Sequence, residues 1–298
     1  MDAIVIDFFH WTRQGDFKFE PRDWPDLEAM VKELKEMGIE TVVSVWPTID
    51  ERSENFGTMS EMGYLVNADR GNQNHMTWWG DIHSSFRSMR EQLQAGLNMG
   101  MAGIPWWTSD IGGFLGGDIS DKSFQELLVR WFEWGAFCPV FRMHGERSPW
   151  YEREEEFING VRQLTSGQDN EVWSFGEENY KILSKYLFIR ERLRPYIREC
   201  MKAASETGAP VMRPLFFDFP EDPVCWETED CYMFGSDLLV APVMEEGART
   251  RTVYLPAGTR WKDAYTGKTY EGGQTVETEA PLDIIPVMMR EGCSYEIY

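Results

Sequence analysis

A strand, helix, strand pattern at the start of the chain constrains its fold most strongly. Residues 3–9, AIVIDFF, and residues 40–47, ETVVSVWP, are short runs rich in β-branched side chains. Between them, residues 24–38 carry apolar side chains at helical spacing and end at a glycine that can stop a helix. Because a helix that joins two neighbouring strands places them in parallel, the pattern predicts an α/β domain.

The same alternation resumes in the middle of the chain. Residues 85–100 form a helical pattern that leads into MAGIPWW at 101–107, and residues 123–137 form another that leads into CPVFRMHG at 138–145. We predict a strand in each of the two runs that follow a helix. Polar residues fall just past the carboxyl ends of the predicted strands, which is the face of a (β/α) barrel where catalysis takes place. These residues are Asp7, Asp81, Asp110 and His144.

The character of the sequence changes near residue 208. Residues 178–206 form one long helical pattern that Pro195 interrupts. Short apolar runs follow, separated by turn pairs such as TG and GG that are typical of hairpins. We therefore predict a (β/α) barrel domain over residues 1–208 and a small all-β domain over residues 209–298.

Charge and cysteine content narrow the classes of partner. Acidic residues outnumber basic ones by 50 to 29, which gives a net charge of −21, so we expect neither nucleic acid nor an anionic membrane surface as a partner. The 5 cysteines lack the CxxC or Cys/His spacing of a zinc site, so we expect no metal and reduced thiols in the cytoplasm. No apolar run approaches the roughly 18 residues that a membrane span requires.

Aromatic residues make up 14% of the chain, including 13 tryptophans. Proteins often hold sugars by stacking a ring on one face of the sugar and by binding its hydroxyls with carboxylates. Residues 77–114 place Asp81 and Asp110 among such rings. Large rings also fill ordinary cores, so composition alone leaves both interpretations open.

Several stretches together resemble glycoside hydrolase family 31, the family of α-glucosidases and α-xylosidases. They are WWGDIHSSFRSMREQLQAGLNMGMAGIPWWTSDIGGF at 78–114, WFEWGAFCPVFRMHG at 131–145, VMRPLFFDFPEDP at 211–223 and YMFGSDLLVAPV at 232–243. The resemblance implies a retaining α-glycosidase with an eight-stranded barrel, followed by a β-sandwich. It implies no cofactor and a small oligosaccharide or glycoside as substrate.

The resemblance also assigns roles to individual residues. Asp81, in the W-x-G-D pattern, corresponds to the general acid/base, and the rings beside it would suit a carboxylic acid that stays protonated. Asp7 and Asp110 correspond to carboxylates that bind sugar hydroxyls, and His144 to a histidine that contacts the same sugar. Tryptophans would form the walls of the sugar site, namely Trp46, Trp78 and Trp107.

One part of the family pattern is missing. In relatives the nucleophile lies in a pattern like W-x-D-x-x-E, yet here residues 60–71, which resemble the segment after the third strand, run directly into residues 72–81, which belong at the sixth. Two strand-helix units, about 60 residues, are absent. We interpret three other carboxylates as ordinary loop residues that do not replace the nucleophile, namely Asp50, Glu51 and Asp69. We therefore expect a partial or rearranged (β/α)8 barrel that hydrolyses glycosides weakly or not at all on its own.

The sequence leaves three functional alternatives open. The first is a family 31 hydrolase that acts on terminal α-xylosyl or α-glucosyl residues, with DFFHW and SVWPTID more like bacterial α-xylosidases. The second is a vestigial or sugar-binding protein that has lost cleavage. The third is an oligomer, or a chain whose missing strands are supplied by a complementing polypeptide.

Overall fold

The chain divides into two compact units in the computed structural model. The first unit comprises Met1–Met76 and Arg153–Leu164, and the second comprises Thr77–Glu152 and Thr165–Tyr298. The structure describes residues 3–7, 10–45, 49–65, 81–149, 157–158, 161–162 and 167–298.

The first unit contains the predicted strand, helix, strand pattern. Strands β1 (Ala3–Ile6) and β2 (Glu40–Val43) pair in parallel, from Ala3 opposite Glu40 to Ile6 opposite Val43. Helix α1 (Leu27–Glu36) joins them and confirms the reading of the helical spacing. The described residues of this unit also form helix α2 (Phe56–Glu61) and the antiparallel strands β5 (Phe157–Ile158) and β6 (Val161–Arg162).

Local sequence signals set both ends of α1. The carboxylate of Asp26 accepts a hydrogen bond from the backbone N–H of Ala29 at 2.9 Å, which satisfies one of the free donors of the first turn. Past the other end, Gly38 adopts φ +76°, a left-handed conformation that glycine takes without a steric cost. The helix therefore ends where the sequence predicts.

Four long helices dominate the first half of the second unit, and their apolar faces form a shared core. Its fully buried side chains include Leu93, Leu128, Trp131, Leu183 and Tyr186. The helices are α3 (Phe86–Met101), α4 (Lys122–Gly135), α5 (Glu177–Arg192) and α6 (Arg194–Thr207), and two short parallel strands accompany them, β3 (Gly117–Asp118) and β4 (Arg147–Ser148). The long helical pattern thus forms two helices, with Pro195 in the first turn of the second.

The strands predicted over 101–107 and 138–145 are wrong, because the structure forms no strand in either stretch. Single backbone hydrogen bonds replace a ladder there, such as the one from the N–H of Val140 to the carbonyl of Trp107 at 3.1 Å. Each stretch also contains a proline, which has no N–H to donate. Apolar, aromatic-rich sequence was therefore not sufficient to form a strand.

The last part of the chain is a β-sandwich, as predicted. The strands are β7 (Met212–Arg213), β8 (Tyr232–Phe234), β9 (Leu238–Val240), β10 (Thr250–Leu255), β11 (Arg260–Asp263), β12 (Thr269–Glu271), β13 (Gln274–Glu279) and β14 (Val287–Arg290), with short helices α7 (Leu215–Asp218) and α8 (Val224–Glu227). One sheet has six strands in the order β12, β11, β14, β9, β8, β7, and the other is an antiparallel pair of β10 and β13. Val253 and Val276 of the pair pack against Leu239, Trp261 and Met288 of the larger sheet.

The helical core and the sandwich are continuous within the second unit. Phe234 and Val287 of the larger sheet belong to the same buried cluster as Met89 of α3 and Leu128 of α4. The domain boundary near residue 208 stays a prediction. None of the helices in the described ranges is both long and apolar enough to cross a bilayer.

Candidate active site

Asp7 lies in the first unit, directly after the last residue of β1. The hydroxyl of Ser44, which follows β2, donates a hydrogen bond to its carboxylate. Because β1 and β2 are parallel, the two side chains meet at the carboxyl ends of both strands. Nearby, burial lowers the pKa of His10, an effect that the charge of Asp7 opposes. Trp46, the predicted wall residue, falls outside the described residues.

Asp81 lies in the second unit and its side chain is exposed to solvent. Its backbone adopts φ +44°, in the left-handed region that few residues other than glycine occupy. The next residue is fixed, since the carbonyl of Ile82 accepts hydrogen bonds from the N–H groups of Phe114 at 2.8 Å and Leu115 at 2.9 Å. Asp81 is thus an exposed carboxylate on an anchored backbone. Trp78 falls outside the described residues.

Asp110 is buried and paired with an arginine. Its side chain is 1% exposed, and Arg142 donates a hydrogen bond to its Oδ1 atom. The other carboxylate oxygen, Oδ2, is also buried and has no hydrogen-bond partner among the described residues. Burial raises the pKa of Asp110, whereas the positive charges of Arg142 and His144 lower it and the charge of Asp81 raises it further. The charges of Arg142, His144 and Asp81 therefore all act on Asp110.

Trp107 lies in the core of the second unit, with only 2% of its surface exposed. Its ring packs over α3 at Gly96, where a Cβ atom would lie 2.5 Å from the indole Nε1. The adjoining backbone is tied to α4, because the indole of Trp131 donates to the hydroxyl of Ser109 at 2.9 Å. Trp107 thus supports the segment that carries Asp110.

His144 stands beside Phe114, with 5.3 Å between the two ring centroids. The segment before it is held by Arg190 of α5, which donates to the carbonyls of Ala136 at 3.0 Å and Pro139 at 2.8 Å. Two different helices therefore fix the backbone that precedes these candidates: α4 holds the segment before Asp110 through Trp131, and α5 holds the segment before His144 through Arg190.

Arg147 connects the segments that carry Asp110 and His144. Its buried guanidinium donates to the carbonyls of Ile111 at 2.9 Å, Gly113 at 3.0 Å and Glu146 at 2.8 Å. Its Nε donates to the side chain of Asn170 at 2.8 Å. Burial lowers the pKa of Arg147 to about 10, so the group remains charged at neutral pH. A single cation thus fastens the turn after Asp110 to the segment after His144.

The glycines around Arg147 leave room for its guanidinium. A Cβ atom at Gly145 would lie 2.9 Å from Nη1, and one at Gly112 would lie 3.2 Å from Nη2. Both glycines also adopt positive φ angles, of +131° and +86°. Any larger residue would therefore displace the guanidinium and strain the backbone at the same time.

Glu146 is a second carboxylate near Asp81. Burial raises the pKa of Glu146, and the charge of Asp81 raises it further, so the two groups lie close enough to influence each other. The backbone N–H of Glu146 donates to the carbonyl of Phe114 at 2.8 Å, which fixes the start of its side chain. Among the described residues, no group of three His, Cys, Asp or Glu side chains is arranged to hold a metal ion.

Two family models match this chain. The Glycosyl hydrolases family 31 TIM-barrel domain matches residues 1–77 and 70–199, and the Glycosyl hydrolase family 31 C-terminal domain matches residues 208–293. The chain belongs to glycosyl hydrolase family 31. Its fold is accordingly that of the family's barrel domain followed by the C-terminal β-domain.

Similar proteins of family 31 include both xylosidases and glucosidases. An alpha-xylosidase of Saccharolobus solfataricus is 27% identical over 389 residues, covering 98% of this chain and 50% of the relative. Alpha-glucosidase 2 of Bacillus thermoamyloliquefaciens is 34% identical over 215 residues, covering 72% of this chain and 24% of the relative. This family 31 chain therefore spans half the length, or less, of these relatives.

A solved family 31 structure is similar along nearly the entire chain. It is a GH31 alpha-xylosidase from a soil metagenome complexed with xylose, 42% identical, with a TM-score of 0.87. The match covers 99% of this chain and 59% of the other.

Sequence reasoning missed three charged residues of this family 31 site: Arg142, Glu146 and Arg147. All three lie in or directly beside the FRMHG motif, two residues before and two or three after His144. Their closeness to His144 in the sequence is the feature that could have indicated them. A buried arginine cannot be distinguished from an exposed one by its neighbours in sequence, because its carbonyl acceptors come from distant segments.

Proposed function

We propose that this chain binds the terminal sugar of an α-xyloside or α-glucoside and that Asp81 is the acid/base of a retaining hydrolysis. The observation that carries the proposal is the electrostatic group of Asp81, Asp110, Arg142 and His144 in the second unit. Retaining glycosidases need one carboxyl group that protonates the leaving oxygen and later activates water. Asp81 suits this role because its exposed side chain can reach an incoming glycoside.

The other residues would hold the sugar and set the charge around it. The imidazole of His144 can donate a hydrogen bond to a sugar hydroxyl. The ion pair with Arg142 balances the negative charge of Asp110 beside the candidate sugar site. Asp7 stays a proposed hydroxyl-binding residue, as the family resemblance implies.

The nucleophile is the missing part of this mechanism. A retaining enzyme needs a second carboxylate about 5–5.5 Å from the acid/base, and no W-x-D-x-x-E pattern occurs in the chain. Two comparisons support an internal omission: the barrel model matches in two pieces that meet at residues 70–77, and the alignment with the Saccharolobus relative is longer than this chain. We therefore expect weak or no hydrolysis by the chain alone.

Xylosides are the favoured substrate class. The solved relative that is 42% identical is an alpha-xylosidase complexed with xylose, and the Saccharolobus relative is also an alpha-xylosidase. Because the Bacillus relative is an alpha-glucosidase, glucosides are the alternative substrate class. A non-catalytic sugar-binding protein is the second candidate, since the described sugar-site residues do not depend on the missing nucleophile.

Calorimetry and turnover distinguish these functions. We expect the purified chain to bind xylose and isoprimeverose, and to hydrolyse an aryl α-xyloside far more slowly than the full-length soil-metagenome enzyme. A hydrolysis rate close to that of the full-length enzyme would refute our expectation that this chain lacks a nucleophile. Asp81→Asn should leave xylose binding within about twofold, because the amide is isosteric, whereas undetectable binding by the wild-type chain would refute a sugar site.

Three further expectations remain proposals. We place the protein in the cytoplasm, which is supported by the free state of all five cysteines, Cys138, Cys200, Cys225, Cys231 and Cys293. A barrel domain over 1–208 with a sandwich over 209–298 stays the proposed domain division. An oligomer or a complementing chain likewise stays a prediction.

A further inference from the structure

The backbone of Phe114 joins two segments of the second unit that carry candidate residues. Its N–H donates to the carbonyl of Ile82 at 2.8 Å, and its carbonyl accepts a hydrogen bond from the N–H of Glu146 at 2.8 Å. Backbones joined by such bonds lie about 5 Å apart, so the three segments lie side by side. We call Ile82, Phe114 and Glu146 the outer layer of the site.

The candidate residues Asp81, Asp110 and His144 all precede the outer layer. Each lies in one of the three segments, one, four and two residues before its outer-layer residue, respectively. In a (β/α) barrel the active site is formed at the carboxyl ends of the strands, and the loops that follow continue outward from there. Residues later in such a loop lie nearer the mouth of the site. This order places Glu146 on the outer side of His144.

The position of Glu146 is fixed by its backbone. Besides its bond to Phe114, its carbonyl accepts a hydrogen bond from Nη1 of Arg147 at 2.8 Å. A Cβ atom at Gly145 would lie 2.6 Å from the carbonyl oxygen of Gly113, so the two segments are in close contact. Within the described ranges, no hydrogen bond or ion pair engages the Glu146 carboxylate. Its oxygens can therefore accept hydrogen bonds from a ligand.

Asp81 is a neighbour of both Glu146 and Asp110. Its negative charge raises the pKa of both of these carboxyl groups. In the proposed function, Asp81 protonates the oxygen that joins the terminal sugar to its leaving group, and His144 binds the terminal sugar. Because Glu146 lies beside Asp81 but nearer the mouth than His144, it is suited to contact the leaving group.

We propose that Glu146 accepts a hydrogen bond from a hydroxyl of the leaving-group sugar and selects glycosides through this contact. The glucose of isoprimeverose offers such hydroxyls, whereas free xylose fills only the terminal position. A hydroxyl that donates to a carboxylate forms a charge-assisted hydrogen bond, which is stronger than one between neutral groups. The inference rests on the proposed function, since it requires the terminal sugar beside His144 and the scissile oxygen beside Asp81.

Calorimetry with two sugars tests this contact. We expect the wild-type chain to bind isoprimeverose more tightly than xylose at neutral pH. Glu146→Ala should weaken the binding of isoprimeverose about tenfold, because a hydrogen bond to a charged group is lost, and should leave xylose affinity within about twofold. The xylose measurement separates a leaving-group contact from a general loss of structure, since a disrupted site would lose both sugars.

Two further variants serve as controls. Glu146→Gln keeps the length of the side chain and one acceptor oxygen, so it should lose less affinity for isoprimeverose than Glu146→Ala. Glu246→Ala makes the alanine change at an exposed glutamate of the β-sandwich and should leave the affinity for both sugars within about twofold. Thermal unfolding checks that each variant folds as the wild type does.

The outcomes distinguish this inference from the proposed function. Equal wild-type affinity for the two sugars, or unchanged isoprimeverose affinity in Glu146→Ala, overturns the inference and leaves the proposed terminal-sugar site intact. Equal losses for both sugars in Glu146→Ala also overturn it, because Glu146 would then act at the terminal sugar or on the fold. Undetectable binding of both sugars by the wild-type chain refutes the proposed sugar site, and the inference fails with it.

Discussion

Arg142 donates a hydrogen bond to the buried carboxylate of Asp110, 32 residues earlier in the chain. The aspartate is 1% exposed and the arginine 20% exposed, so the pair lies at the border of the interior. Removing one member of such a pair is costly because it leaves an uncompensated charge in a poorly solvated place.

Arg142→Met should therefore destabilise the fold by about 2–4 kcal/mol, measured by urea unfolding at neutral pH. The double variant Asp110→Asn with Arg142→Met should recover part of that loss, because no buried charge is left unpaired. If the two changes are additive, the ion pair does not exist in solution.

Arg147→Lys should loosen the turn after Asp110, because an ammonium cannot reach the carbonyls of Ile111, Gly113 and Glu146 together. We expect a loss of about 2–4 kcal/mol in unfolding free energy and about a tenfold loss in xylose affinity by calorimetry. Asn170→Ala is the control: it removes one side-chain acceptor of the same arginine and should affect both measurements much less. An Arg147→Lys protein that binds xylose as well as wild type would contradict this role.

Gly96→Ala should disturb the packing of Trp107. The new Cβ atom would lie 2.5 Å from the indole Nε1, so α3 or the ring must move, at a cost of about 1–3 kcal/mol. Gly57→Ala is the matched control, because nothing lies within 4 Å of its Cβ position in α2. That change should be neutral or stabilise by up to about 1 kcal/mol, since alanine favours a helix. Thermal unfolding of the two variants distinguishes them.

Glu133 should make stability depend on pH. It is buried beside Arg130, and burial raises the pKa of Glu133 from 4.5 to about 8. Between these values the native state holds a proton that the unfolded chain has released, so the free energy of unfolding falls as the pH rises. Urea midpoints across this window should decline in wild type and decline less in Glu133→Gln. Identical pH profiles would show that Glu133 does not titrate in this range.

The local elements were largely predictable from the sequence. The spacing of apolar residues predicted α1 and α3, and Gly38 marked the carboxyl-terminal end of α1. Turn pairs and alternating residues indicated the sandwich strands, such as β10 with its alternate buried side chains. These patterns involve residues that are close in the chain, so they can be recognised without knowledge of the fold.

The candidate site was only partly predictable. The W-x-G-D, WWTSDIGGF and FRMHG motifs pointed to Asp81, Asp110 and His144, and the charges of Asp81 and His144 act on the buried Asp110 in the second unit. Trp107 is buried against α3, and its place in the wall of the sugar site stays a prediction. No feature of the sequence marked Arg147 as the link between two segments. The shared face predicted for Asp7 stays a prediction.

The sequence by itself determined the family, the helices and the β-sandwich, because motif identity and residue periodicity are properties of neighbouring residues. Only the tertiary structure decided that Asp110 is buried with Arg142 and that Trp107 packs against Gly96 of α3. Burial depends on what distant segments pack against a side chain. An apolar run therefore predicts buried side chains from the sequence alone, whether or not another segment covers it in the folded protein.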